Sequence, residues 1–323
     1  MKNKYAFPIL IALILSSCTT NPLPSQENDS SKDSIPSIPS ISDSATDSAS
    51  MSESSSSEET IDVLPEGYTK LFWHDEFNGN SLSNDWEAMI GDGSNYNVYR
   101  WGNNELQYYK KENAYVHDDA LHILALKERN VSGEDVYEYS SARLRTKGKV
   151  FTTYGYIVAR IKLPVGTGMW PAFWMLPENH YQDRWWPDSG EIDIMEARGR
   201  LPDTYGATIH TANENHQDVY KFKDYTFTDS DISEYHTYGV LWNEQGFNFS
   251  IDGEFFFEVK PSTYQNNNPF YTDTSSVAPF DQPFHILLNL AIGGNYDGGR
   301  KPDDSFQEAE MLVDYVRIYQ KEK

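Results

Sequence analysis

The 323-residue sequence holds a single cysteine, Cys18. An intrachain disulfide and a cysteine-based metal cluster are therefore both excluded. Basic residues are scarce: 26 Lys and Arg stand against 49 Asp and Glu, a formal net charge of −23. Such a chain disfavours nucleic acid as a partner and repels sulfated or carboxylated polymers, so a neutral partner suits it better. There is no internal repeat, and no apolar run long enough to cross a bilayer as a helix. The short apolar run at residues 7–15 follows Lys2 and Lys4 and has the build of a secretory leader. Aromatic residues, by contrast, are plentiful at 14%. Most would fill a large β core, but flat indole and phenol rings also pack on the apolar C–H faces of pyranose sugars.

The leader ends in Leu15-Ser16-Ser17-Cys18. This resembles a bacterial lipobox, in which the leader is cut before the cysteine and the cysteine is lipidated; the alternative is a chance cysteine in an ordinary signal peptide. Residues 1–17 are read as the signal peptide. Residues 18–63, rich in Ser, Asp, Glu and Pro, bury too little apolar surface to fold. They read as an acidic tether of about 45 residues, spanning roughly 35–40 Å on average. Residues 64–323 form the one folded domain. The expected location is the bacterial cell envelope, lipid-anchored, with the outer membrane as the site.

The most informative stretch is Trp186-Pro187-Asp188-Ser189-Gly190-Glu191-Ile192-Asp193-Ile194-Met195-Glu196-Ala197-Arg198-Gly199. Read as a strand, it puts Glu191 and Asp193 on one face and Ile192 and Ile194 on the other. Strict alternation would bury Glu196 among the apolar residues, which is costly for an unpaired carboxylate. One extra residue at Ile194-Met195, a β-bulge, returns Glu196 to the acidic face. Three carboxylates then line one strand. An acid-rich edge strand or a calcium site would also carry such a row. Glycoside hydrolysis needs one ionised carboxylate and one carboxylic acid flanking the scissile bond. Three crowded acids drive at least one pKa up, and their titration belongs to the cluster. Glu191 is assigned as nucleophile, Glu196 as general acid and later base, and Asp193 as the group that orients both.

The stretch WPDSGEIDIMEARG resembles the signature of glycoside hydrolase family sixteen. Its ExDxxE spacing is that of the family's β-bulge branch, and its surround is similar to bacterial endo-β-1,3-glucanases, the laminarinases. The resemblance covers roughly residues 71–319. It implies an all-β fold: a jelly-roll sandwich of two antiparallel sheets, concanavalin A-like, with an open concave substrate cleft. It also implies a retaining, endo-acting mechanism that needs no cofactor for catalysis. A structural calcium is the one metal it suggests, with Glu76 and Asp314 as the matching acids; hard oxygen ligands suit that ion.

Further motifs carry the resemblance. Trp101-Gly102-Asn103-Asn104-Glu105-Leu106-Gln107-Tyr108-Tyr109 implies Asn104 as a sugar contact, although Asn in a loop is also a turn-former. Ser140-Ser141-Ala142-Arg143-Leu144-Arg145-Thr146 implies Arg143 at the sugar or orienting Glu191, with a surface salt bridge as the alternative. In the run 169–177, Trp170 and Trp174 share a face if the chain is extended. With Trp186 they are candidate sugar platforms, and at least one is expected in the core. His210, on the strand read at 204–211, matches a histidine that hydrogen-bonds within the acidic site. Asn289 lies in the strand read at 284–291. After it, Tyr296-Asp297 stands where the family carries Trp-Pro.

The expected substrate is laminarin-like β-glucan, cut by a monomer with no nucleic-acid partner and no membrane contact beyond the lipid. Mixed-linkage glucan or agarose under the same fold and mechanism is the alternative, since agarases of the family share ExDxxE. A non-catalytic glycan-binding module is the third reading, disfavoured because all three acids are kept.

Overall fold

The computed structural model describes residues 63–180, 183–265 and 277–322. Signal peptide, Cys18 and nearly all of the tether lie outside the described residues. Two large sheets face each other with a small two-stranded ribbon beside them. Their strands pair antiparallel, apart from one short parallel pair, Gln107–Tyr109 beside Tyr139–Ser141. This is the expected jelly-roll sandwich.

The first sheet runs Glu254–Val259, Gly246–Ile251, His236–Asn243, Gly155–Lys162, Glu308–Gln320, Ala120–Leu126, Tyr139–Ser141 and Gln107–Tyr109. Lys70–Asp75 adds to Glu308–Gln320, so the two ends of the domain share one seam. The second sheet carries the chemistry. Its order is Asp218–Thr226, Thr204–Ala212, Glu191–Glu196, Met169–Pro177, Phe284–Ile292, Arg143–Arg145 and Glu87–Ala88.

Alternation explains why these segments pair as they do. Strand 155–162 buries Ile157, Ala159 and Ile161 against Ile192, Ile209 and Ile286 of the facing sheet. Burying one such isoleucine contributes roughly 1.5–3 kcal/mol, and a one-residue slip would move all three side chains to the strand's other face, where Tyr156 and Val158 already pack with Tyr68 and Tyr319. At the Asp252-Gly253 hairpin both residues have positive φ, 49° and 83°, as a two-residue turn of this hand requires.

The seam holds the two acids matched to a calcium site. Glu76 takes two hydrogen bonds from Arg317, each 2.8 Å, and one contact from His74 at 3.0 Å. Asp314 instead accepts from Arg160 at 2.7 Å. Guanidinium groups thus neutralise both carboxylates separately. This donor set does not fit a shared cation, because a hard cation needs the same oxygens.

Candidate active site

The bulge on strand Glu191–Glu196 is the local feature that makes the site. Trp174 pairs with Asp193 and Phe173 with Met195, so the register shifts between them. On the other side Asp193 pairs with Thr208 and Glu196 with Gly206. The strand has two residues, Ile194 and Met195, opposite the single Ala207. Ile192, Ile194 and Met195 are all buried in the core, while Glu191 and Glu196 are partly exposed. The apolar side chains at this position hold the bulge, and the bulge keeps Glu196 with the other acids.

Cross-strand pairs place whole rows of side chains on the concave face. One row is Arg143, Asn289, Ala172, Glu196, Gly206 and Asp224. Small residues, Ala172 and Gly206, flank Glu196 on both sides, and the room beside Gly206 is taken by the edge of the Phe222 ring and the Tyr296 hydroxyl. Another row includes Trp174, Asp193, Thr208 and Phe222. A third pairs Glu191 with His210 and His210 with Tyr220.

The acids differ in their partners. Glu196 accepts a hydrogen bond from Trp170 Nε1 to Oε1 at 2.9 Å. That leaves Oε2 to carry a proton towards substrate. Burial, and then the charge of Asp193, push the Glu196 carboxyl up to about 8, with the Trp170 bond pulling the other way. Burial and Asp193 also raise Glu191 well above the usual carboxylate range, while the cations His210 and Arg143 favour its ionised form. Asp193 is buried, and its Oδ2 has no hydrogen-bond donor; His210 Nε2 stands 3.4 Å away as an ion pair. On its far side His210 Nδ1 faces Asp218 at 3.0 Å. Burial opposes charge on this imidazole, but the two aspartates outweigh it and its pKa is pushed up to about 12. A cationic His210 therefore sits against three acids at neutral pH. Glu191, Asp193 and His210 each bring one ligating atom within 4.8 Å of the others, a group that could also hold a metal.

The remaining expected residues fall into two sets. Trp186 is 50% exposed, next in sequence to Trp185, with its ring 6.1 Å from that of His210. Trp174 is partly exposed, and its Nε1 donates to Asn289 Oδ1 at 2.8 Å. Trp170 is different: it is only 8% exposed, stacks on Tyr296 at 5.1 Å and directs its N–H at Glu196. It positions the acid and offers sugar little surface. Arg143 is buried between Trp101 and Trp174, 4.5 and 4.7 Å from their ring centres, so the surface salt bridge is not formed. Asn289 is buried beside it, and Asn104 lies exposed at the rim, donating to Asn295 at 3.0 Å with φ of 57°.

Two residues, Glu105 and Asp218, escaped the reading of motifs. Glu105 is buried near Arg143; burial lifts its carboxyl to about 7 against the pull of that cation. Asp218 backs His210, and Arg198 lies 4.6 Å over the Tyr296 ring with Asp224 at 3.7 Å. Glu105 lay inside a matched motif and was available there. Asp218 had no signal, because a strand pairing creates its role.

A jelly-roll sandwich with crowded carboxylates of raised pKa on an aromatic-edged face is the arrangement of a glycoside hydrolase. The model of glycosyl hydrolases family 16 matches residues 93–317, and the chain belongs to that family. It is 41% identical over 266 residues to glucan endo-1,3-beta-glucosidase A1 of Niallia circulans, covering 78% of this chain and 38% of that one. The endo-beta-1,3-glucanase structure from Pyrococcus furiosus is 37% identical with a TM-score of 0.69, over 78% of this chain and 95% of that one. The laminarinase catalytic domain from Thermotoga maritima gives 33% and 0.70, over 79% and 99%. The chain thus spans well under half of the Niallia protein but nearly all of the two solved domains.

Proposed function

We propose that this glycoside hydrolase cuts internal β-1,3-glucosidic bonds of laminarin-like β-glucan with retention of configuration. The single observation carrying the reading is the bulged strand that sets Glu191, Asp193 and Glu196 on one open face. The names of the three proteins described above, an endo-1,3-beta-glucosidase, an endo-beta-1,3-glucanase and a laminarinase, support the linkage.

In the first step the cluster's proton rests on Glu196, and Glu191, ionised beside the His210 and Arg143 cations, attacks the anomeric carbon as a carboxylate. The bond to the glycosidic oxygen breaks, and that oxygen takes the proton from Glu196 Oε2. In the second step Glu196, now a carboxylate, removes a proton from water, whose oxygen attacks the anomeric carbon. The Glu191 ester bond breaks and the product keeps the β configuration. Asp193 and His210 hold the charge pattern throughout. All groups come from this one chain, which fits action as a monomer.

The test is specific activity at equal mass on laminarin, lichenan, agarose and κ-carrageenan, with products sized and the first anomer read by proton NMR. Short laminari-oligosaccharides of β configuration, a much lower rate on agarose and none on κ-carrageenan are expected. A net charge of −23 opposes the sulfated polymer, most strongly at low salt. A faster rate on agarose than on laminarin would move the substrate to galactans.

We also propose that Cys18 is lipidated and holds the protein to the bacterial envelope, at the outer membrane. The charged leader and the small residues before the cysteine support this. Cys18→Ala is expected to move the protein from the detergent phase to the aqueous phase. An unchanged partition would remove the anchor from the reading.

A further inference from the structure

The edge strand Asp218–Thr226 lies two strands beyond the catalytic strand, about 9.5 Å across the sheet. Apart from Asp218 behind His210, it has no part in the chemistry above. Register sets Tyr220 in line with His210 and Glu191, and Phe222 in line with Thr208 and Asp193. Paired residues project to the same face, so both rings stand on the face of the acids. Lys221, Lys223 and Tyr225 alternate to the other face, opposite Ile209, Ala207 and Tyr205 of the core.

Tyr220 is 61% exposed and Phe222 38% exposed. Two large rings left open on one edge strand are a liability unless something covers them. They are not isolated. Trp186, His210 and Tyr220 form a continuous row of rings, with centroids 6.1 and 5.7 Å apart. Phe222 leans back towards the acid: a Cβ on Gly206 would stand 2.6 Å from its Cε2. Gly206 is the cross-strand partner of Glu196. Its missing side chain is what lets the Phe222 ring lie next to the acid's own row.

We propose that Tyr220 and Phe222 form an outer sugar platform, on which the same β-glucan chain rests about two sugar residues from the bond being cut. The continuity of the aromatic row with the catalytic face picks the occupant. Stacking of pyranose C–H faces on these rings needs the ring and not the hydroxyl. The platform therefore measures chain length: a substrate too short to reach the edge strand gains nothing from it.

This inference rests on the β-glucan reading, and the experiment separates the two. Initial rates of the full chain are measured on laminari-oligosaccharides of increasing length and on laminarin. For Tyr220→Ala and Phe222→Ala, kcat/KM on laminarin is expected to fall about threefold to tenfold per ring, mainly through KM. The rise of rate with length should level off one or two units earlier, and the smallest cleavable oligosaccharide should lose far less than laminarin. Tyr220→Phe should restore the wild-type length profile. Equal losses at every length, or an unchanged profile in the double alanine variant, would overturn the platform. A wild-type protein inactive on every laminari-oligosaccharide would instead overturn the substrate reading itself.

Discussion

Glu191→Ser and Glu196→Ala each abolish turnover of unactivated polysaccharide. Removing the nucleophile leaves no group to form the first bond, and a loss on the order of 10⁴-fold or more is expected, as for other enzymes stripped of theirs. Removing the acid leaves the glycosidic oxygen to depart unprotonated, which costs about 10²–10⁴-fold. The losses should differ in kind. With an activated aryl glycoside, whose leaving group needs little protonation, Glu196→Ala should recover much of its rate and Glu191→Ser should not. The geometry behind this asymmetry is the bond from Trp170 to Oε1 of Glu196, which dedicates the other oxygen to the proton. Equal recovery in both variants would reverse or void the assignment, and full activity of either on laminarin would end it.

Asp193→Asn is the second large effect, with kcat reduced on the order of 10²-fold. Asp193 touches no expected bond, but its charge acts on three neighbours. Burial and that charge hold the Glu196 carboxyl up at about 8, so the acid keeps its proton at neutral pH. The wild-type pH–rate profile should lose activity as pH rises through that region, because the deprotonated acid cannot donate. Replacing Asp193 by the neutral amide removes the repulsion. The basic limb then moves to lower pH, since Glu196 ionises more easily. His210 loses an anionic partner at the same time, so its pKa falls as well. The basic limb belongs to the cluster and not to a single residue. A variant with lower activity but an unmoved basic limb would show that Asp193 acts by shape alone.

What the sequence determined by itself follows from local rules. Alternation in the run Glu191-Ile192-Asp193-Ile194-Met195-Glu196 left no way to keep Glu196 beside the other acids except a bulge, and the register has it there. Period-two patterning placed most of the core strands, and Asp252-Gly253 marked its hairpin, because turn chemistry is written in two residues. The tertiary structure decided what depends on partners distant in sequence. Trp170 shares a face with Trp174, as spacing alone implied, but only the approach of Tyr296 and Glu196 buries it. Glu76 and Asp314 are acids of the right kind for calcium, but Arg317 and Arg160 reach them first, from positions fixed by strand pairing. The strand Asp218–Thr226 went unread because aromatics and charges occupy both its faces: Tyr220 and Phe222 on one, Lys221 and Tyr225 on the other. Period two is legible only where one face is buried and the other wet. On an edge strand both faces are half open, so only its pairing to Thr204–Ala212 tells which rings belong to the cleft.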